Sequence, residues 1–185
     1  MSFLSTVLLA LGLAMDAFCV SVTGGMVSGT ADFVFALKIA LFFAGFQMLM
    51  PWVGWHLGQS VAIYLGQYDR WIAFLLLLLI GVKMIYESFQ GQEQKPSLNF
   101  NSIVTLLLLA IATSVDAFAV GVSFSFLRWD IYKPILIIGI ITLLLSLIGV
   151  KIGKVLGCLM KRYAELAGGI ILILIGLRVL TGYNI

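Results

Sequence analysis

Charge is what this chain has least of. Of its 185 residues, 11 are Lys or Arg and 8 are Asp or Glu, 10% in all, where soluble domains run at about 25%. With 62% hydrophobic residues, that scarcity excludes an ordinary water-soluble globule and, equally, a disordered tail. Cysteine is nearly missing: Cys19 and Cys158 are too few for a disulfide-rich secreted module. Three prolines exclude a collagen-like fibre. The single histidine, His56, stands near a span end, and nothing has the spacing of a structural zinc site. No Gly-x-x-x-x-Gly-Lys-Ser/Thr phosphate loop occurs, and no connection is long enough to house an ATPase. The net charge of +3 comes from basic residues scattered at span ends rather than gathered in a patch. No nucleic acid and no nucleotide is therefore expected as a partner, and the chain does not read as an enzyme.

What is there is a succession of apolar stretches. They run roughly Ser5–Gly25, Phe33–Gln59, Trp71–Glu87, Ser102–Leu127, Ile131–Lys151 and Ala164–Thr181. Six spans of ~20 residues take ~120 residues, which leaves only short connections. Each must be helical, because lipid offers backbone groups no partner. The first stretch lacks a basic leader and carries Asp16 at its middle, so it reads as a retained span rather than a signal peptide. The expected fold class is an all-α membrane protein of six transmembrane helices. An even number of spans puts both termini on one side. That side collects Arg70, Arg128, Lys133 and Arg178, and the other Lys38, Lys83, Lys95, Lys151, Lys154, Lys161 and Arg162. The positive-inside rule then sets both termini outside the cytoplasm.

The chain repeats itself. Ala10-Leu-Gly-Leu-Ala-Met-Asp16-Ala-Phe-Cys-Val-Ser-Val22 matches Ala110-Ile-Ala-Thr-Ser-Val-Asp116-Ala-Phe-Ala-Val-Gly-Val122 at an offset of 100. At an offset of 95, Lys38, Gly54 and Gly58 match Lys133, Gly149 and Gly153, Ile80-Gly81 matches Ile175-Gly176, and Lys83 matches Arg178. The expected organisation is two three-span halves, residues 1–95 with the linker and residues 96–185. An odd number of spans in each half makes them inverted with respect to one another. Inverted repeats are typical of secondary transporters, with the substrate site near the midplane where the halves meet.

Counting to the middle of each span gives Asp16, Gln47, Leu79, Asp116, Thr142 and Ile173. Spans one, two, four and five carry a polar group at mid-depth, so these are expected to enclose the site while three and six face lipid. An ionised Asp at the bilayer centre costs ~2.5–3.5 kcal/mol, the pair roughly 5–7. No basic residue shares their counted depth, so a bound cation is the simplest compensation. Gly12, Leu13, Cys19 and Val20 share the Asp16 face, and Ala112, Thr113, Ala119 and Val120 that of Asp116. Such mostly small side chains let helices approach closely. Pro51 lacks an N–H, which leaves the Gln47 carbonyl without its helical partner and is expected to kink the helix. Gln47 thus offers a backbone and a side-chain oxygen, with Thr113 and Thr142 as further oxygens. Two carboxylates plus neutral oxygens suit Mg²⁺, Ca²⁺ or Mn²⁺. Met15, Met48 and Met50 could supply a softer contact, although packing alone accounts for Met at such positions.

Gly12-Leu-Ala-Met-Asp16-Ala-Phe, Ala112-Thr-Ser-Val-Asp116-Ala-Phe-Ala-Val-Gly121 and Phe46-Gln47-x-x-Met50-Pro51-x-x-Gly54-Trp55 resemble the MntP family of bacterial manganese efflux pumps. The resemblance covers the whole chain and implies Mn²⁺ export across the bacterial cell membrane, with Asp16 and Asp116 as the functional acids. Mn²⁺ would be cargo, and no cofactor is implied. Exporting a divalent cation against an interior at about −100 mV costs ~4.6 kcal/mol. With no nucleotide site, H⁺ moving inward is the expected coupling ion. The alternatives are another divalent cation, Cd²⁺ or Ca²⁺, or a small organic solute such as an amino acid. A thiol–disulfide carrier would need a cysteine in each half, whereas Cys19 pairs with Ala119.

Overall fold

The computed structural model describes residues 3–27, 32–65, 69–89 and 99–153, with residues 170, 173, 174, 176, 177 and 180 of the last apolar stretch. Five helices are defined: α1 (Phe3–Val27), α2 (Phe33–Leu65), α3 (Asp69–Phe89), α4 (Ile103–Phe126) and α5 (Tyr132–Ile152). Four of them, α1, α2, α4 and α5, are long and apolar enough to cross a membrane, and α3 contributes a shorter apolar stretch, Trp71–Ile80. Most of the expected sixth span falls outside the described residues, as does most of the Gln90–Asn101 linker.

The distribution of side chains is that of a protein in lipid. On α5, Leu136, Ile140, Leu144 and Ile148 recur every fourth residue and all face outward. The opposite face buries Ile138 together with Gly139, Thr142, Ser146 and Gly149. Soluble helices put their Leu and Ile inside; here the greasy stripe is outside and the small and polar residues are within. Lipid removes the incentive to bury apolar side chains, so small residues that permit close backbone approach occupy the helix contacts. Thus α1, α2, α4 and α5 form a multi-pass membrane protein. The interior hydroxyls are partly satisfied along their own helices: Ser21, Ser114 and Ser123 donate to carbonyls four residues earlier at 2.7–2.9 Å.

The two most extensive helix contacts are α2 on α4 and α1 on α5. Glycine sets both. A Cβ at Gly54 would collide with the Phe118 carbonyl, and one at Gly58 with Ser125 and Val122. On the other side, a Cβ at Gly149 would meet the Phe18 carbonyl, and one at Gly153 the Val22 carbonyl. Gly54 and Gly149 are 95 residues apart, and Phe18 and Phe118 are 100 apart.

Two expectations need correction. The third span does not simply face lipid: Ala73, Leu77 and Ile80 of α3 are buried against the core that includes Ala117 and Val120 of α4. Only its other side, with Leu75, Leu79, Val82 and Tyr86, faces outward. Gly176, from the last apolar stretch, packs on Leu77 and Phe74. The second helix also runs past Gln59, through Pro51 and on to Leu65.

Capping matches the sequence at the ends of α4. The Ser102 hydroxyl accepts from the Thr105 N–H at 3.4 Å. At the other end Arg128 takes a left-handed φ of 54°. There the Arg128 N–H donates to Ser125 O and the Trp129 N–H to Phe124 O, both at 3.0 Å, the paired bonds of a Schellman motif. The turn places Trp129 O to accept from Trp55 Nε1 at 3.1 Å. His56 is exposed and edge-stacked on Trp52 and Trp55, with Tyr132 against Trp55. Aromatic rings with polar tips gather at membrane–water interfaces, a setting this cluster suits.

Candidate functional site

The sequence-derived site residues fall on four helices. Asp16 is half-buried on α1, between buried Ala14 and Ala17. Asp116 is buried on α4 at 6% exposure, flanked by Thr113 and Ala117 of the same buried face. Gln47 of α2 is buried, and its Nε2 donates to Leu13 O at 2.7 Å. That bond ties α2 to α1 one turn before Asp16.

What Gln47 leaves over is informative. With its amide nitrogen committed to Leu13, its Oε1 is buried without a partner among the described residues, as are the hydroxyls of Thr142, Ser146 and Ser125. A buried polar atom left unpaired costs about 1–3 kcal/mol, so these oxygens are available to a ligand. Gln47 and Thr142 were candidates already. Ser146 was not, although it lies one turn beyond Thr142 on the same face of α5.

The remaining candidates are less engaged. Thr113 Oγ1 donates to Ala110 O at 3.2 Å, within its own helix. Met15 packs against the cluster of Phe18, Cys19 and Val22, a packing role. Met50 is half-buried and immediately precedes Pro51. Met48 lies against Gly139, where a Cβ would collide with its sulfur, so it holds α2 to α5. Among the described residues no three His, Cys, Asp or Glu side chains come together. A cation here would have to draw on carboxylates and neutral oxygens.

One residue overturns an expectation outright. Lys83 of α3 places its Nζ 3.0 Å from Asp116 Oδ1, so this carboxylate does have a basic partner. Depth counted by Cα position hides it. Lys83 lies four residues from the middle of α3, about 6 Å along the axis, and its four-carbon stem makes up the difference. The matching of Lys83 with Arg178 in the repeat was the available signal.

The family model described as "Putative manganese efflux pump" matches residues 30–180. A Clostridium perfringens protein named "Putative manganese efflux pump MntP" is 48% identical, over 100% of this chain and 96% of its own. A Clostridium botulinum protein named "Putative manganese efflux pump MntP 2" is 46% identical, covering 97% and 94%. A Methanosarcina acetivorans protein of the first name is 47% identical, covering 98% and 97%. No solved structure matches.

Proposed function

The chain belongs to the Mntp family, and from that premise we propose that it exports Mn²⁺ through a mid-membrane site built on Asp16 and Asp116. The observation that carries the site is the pairing of carboxylates with unpartnered oxygens inside the bundle. A buried carboxylate on α4, a half-buried one on α1, and unpartnered oxygens on Gln47 and Thr142 are a donor set for a hard or borderline divalent cation. Asp116 is paired with Lys83 at 3.0 Å, so a cation there would take the place of the ammonium. Cd²⁺, Ca²⁺ and organic solutes are the competing cargoes.

We further infer six helices in two inverted halves, residues 1–95 and 96–185. Three features support this: the repeated Asp-Ala-Phe segments, the glycine–carbonyl contacts at matching offsets, and the contact of Gly176 with α3. The halves would rock about the site, opening it first to one side and then to the other. Energy would come from protons moving inward as Mn²⁺ leaves, across the cell membrane, with both termini on the outer face.

The test is metal tolerance in cells lacking their own manganese exporter. Expression should restore growth in millimolar Mn²⁺ and lower cell-associated Mn²⁺. Restored tolerance to Cd²⁺ or Ca²⁺ without Mn²⁺ would reassign the cargo.

A further inference from the structure

Lys83 and Asp116 form an unequal pair. The carboxylate is held on the buried face of α4, with 8% of its side chain exposed, whereas 47% of the Lys83 side chain is exposed. Its neighbours Val82 and Tyr86 lie on the outer surface. One partner is enclosed in the bundle and the other lies at its surface. A Lys stem laid along apolar surface can carry its ammonium to mid-depth or out toward the membrane interface. The bond is charge-assisted, the strong kind, and it also links α3 of the first proposed half to α4 of the second.

Mn²⁺ on Asp116 and an ammonium 3.0 Å from the same carboxylate would repel one another in a medium of low dielectric. Conversely, a buried carboxylate deprived of every cation is costly to hold. The side chain can therefore exchange one cation for another, and the second is built into the chain. We propose that Lys83 is a displaceable counter-ion that closes Asp116 in the metal-free carrier and gives way when Mn²⁺ arrives. It thereby lowers Mn²⁺ affinity to a level from which the ion can leave, and it neutralises the carboxylate while the empty carrier reorients. Tethering makes this counter-ion available whatever the solution holds. The role is one of positioning and affinity setting, and it rests on the reading of Asp116 as a Mn²⁺ ligand.

Two transport modes separate it from a structural strut. In vesicles of phosphatidylcholine and phosphatidylglycerol with Mn²⁺ on both sides, tracer exchange never requires the empty carrier to cross. Net efflux from loaded vesicles into metal-free buffer requires it every cycle. For Lys83→Met apparent affinity in exchange should rise while the rate of net efflux drops. Half-saturating Mn²⁺ for exchange falls about tenfold, equivalent to ~1.4 kcal/mol, while net efflux falls at least as far. Lys83→Arg keeps the charge, so net efflux returns, and its firmer grip on the carboxylate raises half-saturating Mn²⁺. Exchange and net efflux lost together in Lys83→Met, with Lys83→Arg matching wild type in both, would make Lys83 a strut and overturn the proposal. Unchanged behaviour of both variants would overturn it too. Asp116→Asn is run alongside: if it exchanges Mn²⁺ as wild type does, the underlying ligand assignment fails, whatever Lys83 does.

Discussion

Adding a single methyl group tests how the helices are held. Gly54 lies on α2 where it crosses α4. A Cβ there would overlap the Phe118 carbonyl oxygen and sit 3.1 Å from its carbon and 3.2 Å from Val122 N. All three obstacles are backbone, so no rotamer change can clear them and the helices must part. At Gly149 the obstruction is milder: Phe18 O would lie 2.9 Å away, about 0.5 Å inside ordinary contact at 3.4 Å. Gly45, on the outer surface of α2, has nothing within 4 Å. Three alanine substitutions therefore form a graded series. Gly45→Ala should be neutral or stabilising by about 0.5–1 kcal/mol, the gain of Ala over Gly within a helix. Gly149→Ala should cost about 1 kcal/mol and Gly54→Ala about 2–3, the range of overpacking. Thermal unfolding in detergent, followed by helical circular dichroism, gives the order. Transport by Gly54→Ala should also suffer, since Phe118 is two residues from Asp116. Equal stability of Gly54→Ala and Gly45→Ala would refute the carbonyl–glycine contact.

Further outcomes follow from other parts of the molecule. Arg128→Gly should raise stability by about 0.5–1 kcal/mol, because Arg128 holds a left-handed φ that costs a non-glycine residue; an unchanged melting temperature counts against it. Asp116→Glu should lose most export, as one methylene moves the oxygen by ~1.5 Å where metal–oxygen distances tolerate ~0.2 Å. Cysteines at Gln92 and Arg162 should label only from the cytoplasm and one at Asn184 only from outside; labelling of Asn184 from the cytoplasm alone reverses the orientation. Gln47→Leu, which removes the Leu13 bond and the unpartnered oxygen together, should weaken Mn²⁺ binding without lowering membrane abundance.

The candidates for the proposed site were readable because lipid makes polarity rare. In apolar spans an Asp, a Gln or a Thr at mid-depth stands out, and the repeated Asp-Ala-Phe segments made the two acids a candidate pair. The described helices largely follow the apolar stretches for the same reason. The role of α3 was not readable. Leu75–Leu79 is an unbroken run of leucine, which has no periodicity to tell a buried face from a lipid-facing one. Only its partners reveal that Leu77 is buried while Leu75 and Leu79 are not. Lys83 was misplaced because a long side chain puts its charge a full turn from its Cα. Gly54, Gly58, Gly149 and Gly153 were visible as a repeat, but sequence does not say which carbonyl lies opposite each.

Mn²⁺ flux through the purified protein, with and without each acid, is the most direct test of the two-aspartate site. Vesicles containing a Mn²⁺-quenched dye would be compared for wild type, Asp16→Asn and Asp116→Asn at equal protein content. The wild type should quench the dye on adding external Mn²⁺, faster when an imposed pH gradient drives protons the opposite way, and both variants should fall to the level of empty vesicles. Wild-type rates in either variant would show that its carboxylate does not carry the metal and would contradict the account.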